Sequence, residues 1–124
     1  MSTKAIVLFA HGARDPRWAA PFEAVAERVR AAAPERLVRL AFLELMAPSL
    51  ADTIDGLASQ GVAEVDVVPL FLGSGGHLRN DLPRQVEAAR ARHPQLRLRI
   101  HPPVGEVPEV IEAMARAAAR SSGE

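Results

Sequence analysis

The chain alternates short apolar runs with longer stretches in which apolar residues recur at helical spacing. Ala5-Ile6-Val7-Leu8-Phe9-Ala10 is apolar without a break, as expected of a strand buried on both faces. Asp15-Pro16 then supplies an N-cap and a first-position proline. Phe22, Val25, Ala26 and Val29 recur on one helical face up to the stop at Pro34. Leu37 to Leu43 predicts the second strand. Pro48 opens a second helix with Leu50, Ile54, Leu57 and Ala58 inward, and Gly61 stands where a left-handed C-cap is wanted. Val65 to Leu72 predicts the third strand. A glycine-rich loop comes next, then a third helix from about Asp81, with Leu82, Val86 and Ala89 inward. Leu96 to Ile100 is shorter and more polar, which suits a sheet edge. The last helix starts near Pro108, with Val110, Ile111, Met114 and Ala118 predicted to be buried.

Strands alternating with helices in this way predict right-handed crossovers and an α/β fold. The expectation is a single three-layer domain over residues 1–124, with a mainly parallel sheet of about four strands. By analogy with flavodoxin-like folds, its strand order is 2-1-3-4. A chain of 124 residues fits one such domain and has no room for two.

Composition narrows the chemistry. Hydrophobic residues make up 48% and charged residues 24%, the profile of a globular protein. Fifteen basic and fifteen acidic side chains cancel, which argues against a nucleic-acid partner. No apolar run approaches a membrane span, and the N-terminal run is too short for a signal-peptide core, so a cytoplasmic protein is expected. The absence of cysteine rules out disulfides and thiolate ligands, so any metal must be held by nitrogen and oxygen. Aromatic residues at 4% leave few stacking platforms.

In parallel sheets, ligands bind beyond the carboxyl ends of the strands. His11 comes directly after the first strand, Glu44 ends the second, and His77 lies just past the third. In order 2-1-3 these strands are neighbours about 4.8 Å apart, so the three side chains are expected on one rim. Two imidazoles and a carboxylate suit a borderline divalent metal. Taken singly, each residue is better explained as a structural histidine or a solvated glutamate; convergence of the three favours function. The loop Gly73-Ser74-Gly75-Gly76 has two readings. It could cradle a phosphate, although it lacks the Lys-Ser/Thr ending of a P-loop. Alternatively, its glycines let the chain turn sharply and a flat ligand approach the backbone. His93 and His101 are left outside the site.

Leu8-Phe9-Ala10-His11-Gly12-Ala13-Arg14-Asp15-Pro16 resembles the opening motif of class II chelatases of the CbiX type. Phe42 to Ser49 is similar to their second motif. Pro69 to Gly73, with Gly76-His77 and Asp81-Leu82-Pro83, is similar to their third. The resemblance runs from about Lys4 to Ala119. Ala13 stands where the family often has serine, and a histidine-rich insertion of some members is absent.

The resemblance implies insertion of Co2+ or Fe2+, with Ni2+ a further candidate, into the tetrapyrrole sirohydrochlorin on the way to cobalamin or sirohaem. It implies no permanently bound cofactor. His11 and His77 would be metal ligands and catalytic groups, with Glu44 orienting a histidine or relaying a proton. Arg14, Arg17 and Arg79, with Arg84 nearby, would meet substrate carboxylates, and Gly73, Ser74, Gly75 and Gly76 would line the macrocycle. A tetrapyrrole is wide for one rim and longer relatives hold two such domains, so a homodimer is expected. Two other classes fit the residues less fully: a non-catalytic carrier of metal or tetrapyrrole, and a flavodoxin-like regulatory or nucleotide-binding domain.

Overall fold

Apolar runs become the inner strands of a parallel sheet where both of their faces can be buried, and a shorter, more polar run closes one edge. The structure, a computed structural model, describes residues 3–73 and 75–121; the side chains of residues 76–78 lie outside this description. The strands are β1 (Lys4–Ala10), β2 (Leu37–Phe42), β3 (Glu64–Pro69) and β4 (Arg97–Ile100). The helices are α1 (Ala20–Ala32), α2 (Leu50–Ser59), α3 (Gly76–Arg92) and α4 (Pro108–Arg120), with short 3-10 turns at Pro16–Ala19 and Val104–Glu106. The sheet order is β2-β1-β3-β4 and every pairing is parallel, as expected for this α/β class.

One face of the sheet carries the main core. Val7 and Phe9 of β1 and Val65 and Val67 of β3 meet Leu50, Ile54 and Leu57 of α2 and Val86 and Ala89 of α3. Phe9, Leu50, Ile54 and Leu57 are sealed from solvent, and each contributes roughly 1.5–3 kcal/mol of burial. The other face is thinner. Leu8 and Val38 pack with Ala26 of α1, and Trp18, Phe22 and Phe42 gather at the carboxyl end of the sheet.

The local signals act where they stand. Asp15 accepts from the Arg17 N–H at 3.0 Å and caps the first 3-10 turn. Ser49, rather than Pro48, caps α2 through the Asp52 N–H at 3.1 Å. Gly61 at φ +85° closes α2: its N–H bonds the Ala58 carbonyl and the Val62 N–H bonds the Leu57 carbonyl, the pairing of a Schellman motif.

Three expectations are corrected. Strand β3 ends at Pro69 instead of Leu72: it pairs with β1 as far as Phe9, the Leu70 N–H closes that ladder on the Phe9 carbonyl at 2.8 Å, and β1 itself ends at Ala10. Helix α3 begins at Gly76 rather than near Asp81. Pro83 sits inside the helix. The third concerns α4. None of its described residues is buried; Ile111 is 49% and Met114 39% exposed, Ala118 is exposed and Val110 is half-buried. The route of the chain explains this. After Pro102-Pro103, the Gly105 N–H bonds the Phe71 carbonyl at 2.9 Å, which carries the chain over the carboxyl rim instead of back across the sheet. A Cβ on Gly105 would lie 1.9 Å from the Leu72 carbonyl oxygen, so only glycine permits this approach.

Beside α1, the half of the second face over β3 and β4 carries a polar cluster. Asp66, with a side chain 9% exposed, takes two bonds from Arg99 at 2.9 and 3.2 Å and one contact from His101 Nε2 at 2.9 Å, with Arg36 at 3.8 Å. Burial pushes the Asp66 carboxyl up, but the hydrogen bonds from His101 and Arg99 outweigh it and hold the carboxyl below its ordinary value. A depressed carboxylate pKa contributes stability that is present above the unfolded value and lost as pH falls through the folded one. Asp66→Asn is expected to cost about 1–3 kcal/mol at neutral pH, and the deficit relative to wild type should shrink as pH falls below about 4. Urea unfolding across that range checks both statements; equal midpoints at neutral pH would contradict them.

Candidate functional site

The site starts from backbone pairing that outlasts the strands. Beyond β1 and β2, the Leu43 N–H bonds the Ala10 carbonyl at 2.9 Å and the Glu44 N–H bonds the His11 carbonyl at 3.1 Å. Residues 11 and 44 are therefore held side by side by main chain alone. Gly12 makes this possible. It has φ +96°, and a Cβ there would lie 1.8 Å from the Glu44 carbonyl oxygen, so both conformation and space demand glycine. Leu45 comes next at φ +67°, with the Met46 N–H reaching back to the Glu44 carbonyl at 2.8 Å. This tight turn leaves Leu45 exposed.

His11 Nε2 lies 3.2 Å from Glu44 Oε2, and the two side chains are 53% and 51% exposed. A contact this open adds little to stability; its consequence is orientation. The His11 ring also stands edge-on to Phe71, with centroids 6.3 Å apart. Phe71 in turn packs on buried Phe9, so the imidazole has an apolar wall rooted in the core.

Of the three residues expected on the rim, His11 and Glu44 meet. His77 is in the first turn of α3, which begins just beyond the carboxyl end of β3; its side chain lies outside the described residues. Among the described residues, no cluster of three or more His, Asp or Glu side chains able to hold a metal is present. Ser74 lies outside the described residues, as does the side-chain environment of Gly76. Gly73 and Gly75 are exposed with nothing near an added Cβ, and neither has a positive φ. Their backbone is open to an approaching ligand, and no sharp turn depends on them.

The arginines differ in state. Arg14, three residues after His11 in the chain, is exposed. Arg17 is paired with Asp15, from Nε at 3.1 and 3.2 Å and from NH2 at 2.8 Å. That hydrogen bonding holds the Asp15 carboxyl below its usual range and raises the Arg17 guanidinium. Arg79 lines a small hollow with Pro69, Leu82, Ile100, His101 and Pro103. His93 and His101 are engaged elsewhere, on Asp55 at 2.7 Å and on Asp66.

Sequence reasoning missed the apolar lip. Phe71 stands against the His11 ring, and Leu45 (58% exposed) and Leu72 (73% exposed) follow Glu44 and Phe71 directly in the chain. The signal is present in Val65–Leu72, an apolar run three residues longer than the strand it feeds.

The parallel sheet of order 2-1-3-4 places the chain in the fold class of solved CbiX and sirohydrochlorin chelatase structures. The sequence model of one family, CbiX, matches residues 5–121. The chain belongs to the CbiX family. It is 34% identical to a CbiX protein from Marinobacter aquaeolei VT8, with a TM-score of 0.85 over 97% of this chain and 98% of that one. It is 27% identical to the sirohydrochlorin chelatase SirB from Bacillus subtilis subspecies spizizenii, solved in complex with cobalt, with a TM-score of 0.82 over 95% of this chain and 50% of that one. The sirohydrochlorin ferrochelatase of Bacillus subtilis strain 168 is 28% identical over 111 residues, 90% of this chain and 42% of that protein. The chain spans about half the length of several curated relatives it matches.

Gly12→Ala is expected to lower stability by more than about 1 kcal/mol, from its positive φ alone, and to separate residues 11 and 44. Chemical denaturation checks the first, and nuclear magnetic resonance shifts of the Glu44 amide check the second. An unchanged midpoint with an unmoved amide would show that the approach of Gly12 to Glu44 is not needed.

Proposed function

We propose that this chain, acting as one chelatase unit over residues 1–124, inserts a divalent metal into sirohydrochlorin. The observation that carries the reading is the exposed His11–Glu44 pair, fixed by backbone pairing at the rim beside which α3 brings in His77. Co2+ and Fe2+ are the proposed substrates, with Ni2+ to be compared; the product would feed cobalamin or sirohaem synthesis. Among the described residues no helix is long and apolar enough to cross a membrane, and the reading takes the cytoplasm as the place of action.

Insertion exchanges one metal ion for the two pyrrole N–H protons of the macrocycle. A neutral His11 that donates from Nε2 to Glu44 keeps its Nδ1 lone pair for a metal or a proton. Glu44 is then a positioning residue that sets the tautomer. His77 would act as the second ligand or proton acceptor. Arg14 and Arg79 would meet substrate carboxylates, and Arg17 would do so by exchanging Asp15 for a substrate group. The open backbone at Gly73, Ser74, Gly75 and Gly76 and the apolar lip of Phe71 and Leu72 suit a flat ring. A macrocycle is wider than one such rim, so a second copy of the chain would complete the cleft.

His11→Ala and His77→Ala are each expected to lower cobalt insertion at least 100-fold, the usual scale for losing an acid–base group, with unchanged thermal unfolding. The absorbance change of sirohydrochlorin under excess Co2+, Fe2+ or Ni2+ is the readout. Normal turnover in both variants would overturn the assignment. Stoichiometric uptake without turnover by the wild-type chain would mark a carrier instead.

A further inference from the structure

The turn after Glu44 is built on an unfavourable residue. The Met46 N–H bonds the Glu44 carbonyl two residues back at 2.8 Å, with Leu45 between them at φ +67°. This is the γ-turn of positive φ, the rare and strained member of its class. Glycine takes such a conformation freely, and asparagine takes it more readily than leucine. Among the described residues, Leu45 alone combines a positive φ with a side chain. A strained leucine is ordinarily kept because the core needs it. Leu45 is instead 58% exposed and belongs to none of the three apolar clusters of the described fold.

Its two neighbours are fixed. The Glu44 N–H is bonded to the His11 carbonyl at 3.1 Å, and Met46 packs against the cluster of Ala10, Ala19 and Phe42. Leu45 therefore projects from a rigid base, one residue from the carboxylate that lies 3.2 Å from His11 Nε2. Strain held in place by well-determined neighbours is the pattern of a ligand-binding position. Strand order says what Leu45 would touch. With β1 between β2 and β3, the segment carrying Leu45 leaves the sheet on one side of His11. The segment carrying Phe71 and Leu72 leaves it on the other. Two strand spacings of about 4.8 Å separate these segments, a gap that a flat ring bridges and a small polar solute does not.

We propose that Leu45 is a positioning residue for the flat apolar face of the macrocycle, bearing the ring on the β2 side of His11 as Leu72 does on the β3 side. The inference rests on the chelatase reading and adds to it the contact that centres the ring over the histidine. Leucine suits this task. It has no proton to exchange and no lone pair to compete with the imidazole for a metal, and its cover excludes water from the His11–Glu44 pair once the ring is seated.

Titration of metal-free sirohydrochlorin, followed by its visible absorbance, gives the dissociation constant for the wild type and three variants. Leu45→Asn and Leu45→Gly are each expected to raise it about tenfold, the scale for uncovering one leucine. Leu45→Met, which keeps the apolar volume, should stay within about threefold of the wild type. In urea unfolding the order reverses: the Leu45→Asn midpoint should lie at or above that of the wild type, because asparagine accepts the positive φ. A lowered midpoint in Leu45→Asn would show that the leucine serves the fold and overturn the proposal, as would an unchanged dissociation constant in that variant. Cobalt insertion measured in parallel separates the two readings. A wild type that binds the macrocycle without inserting metal removes the chelatase reading alone. A wild type that turns over, with KM for sirohydrochlorin unmoved in Leu45→Asn, removes this one alone.

Discussion

Everything at the rim depends on the two hydrogen bonds that carry the β1–β2 ladder past its own strands. The Leu43 N–H on Ala10 and the Glu44 N–H on His11 set two chain segments, more than thirty residues apart in sequence, into register at the level of the imidazole. Without them, the histidine and the glutamate would be two loop residues with independent motions. The main chain can come so close only because Gly12 has no Cβ. A parallel sheet then adds the rest: all strands end on one side, so the segment leaving β3 arrives at the same rim as the segment leaving β1.

Much of this is legible in the residues. Apolar or mostly apolar runs mark the first three strands and a shorter, more polar run the fourth. Their alternation with helical patterns implies a parallel sheet, whose order with β1 and β3 at the centre comes by analogy with flavodoxin-like folds. His11 and Glu44 can be placed together because each adjoins the end of a strand whose neighbour is predictable. Periodicity cannot show where each pattern stops. Val65–Leu72 is apolar for all but one of its residues, but after the Leu70 N–H bonds Phe9 the strand ladder is over, and Phe71 and Leu72 become lip instead. The expected start near Asp81 falls short because α3 begins at Gly76 and carries Pro83 within it, on an exposed side. Amphipathicity correctly gives α4 an apolar face; it cannot tell which surface covers that face, because the route past Gly105 is a tertiary fact.

The two faces of the sheet are built by different means. Behind α2 and α3 lies an apolar core. On the other side, α1 covers half of the width, and the remainder is held by Asp66 with Arg36, Arg99 and His101 around it. A buried carboxylate bound by Arg99 and His101 keeps β3 and β4 aligned on that half. Such a cluster is costly to break and adds little beyond what well-packed apolar residues would. Its value is directional: it fixes two strands whose ends carry the Phe71 lip and the diproline turn.

The rim frame and the rim chemistry are separable. Positions 11 and 44 are tied through their amides and carbonyls, while their side chains are half in solvent and stabilise the fold only weakly. The donor atoms displayed there could therefore be exchanged, oxygen or sulfur for nitrogen, on a scaffold that keeps its shape. Donor softness governs which divalent ions a site prefers, so metal preference in this architecture is open to retuning by two point changes that leave the underlying hydrogen-bond register alone.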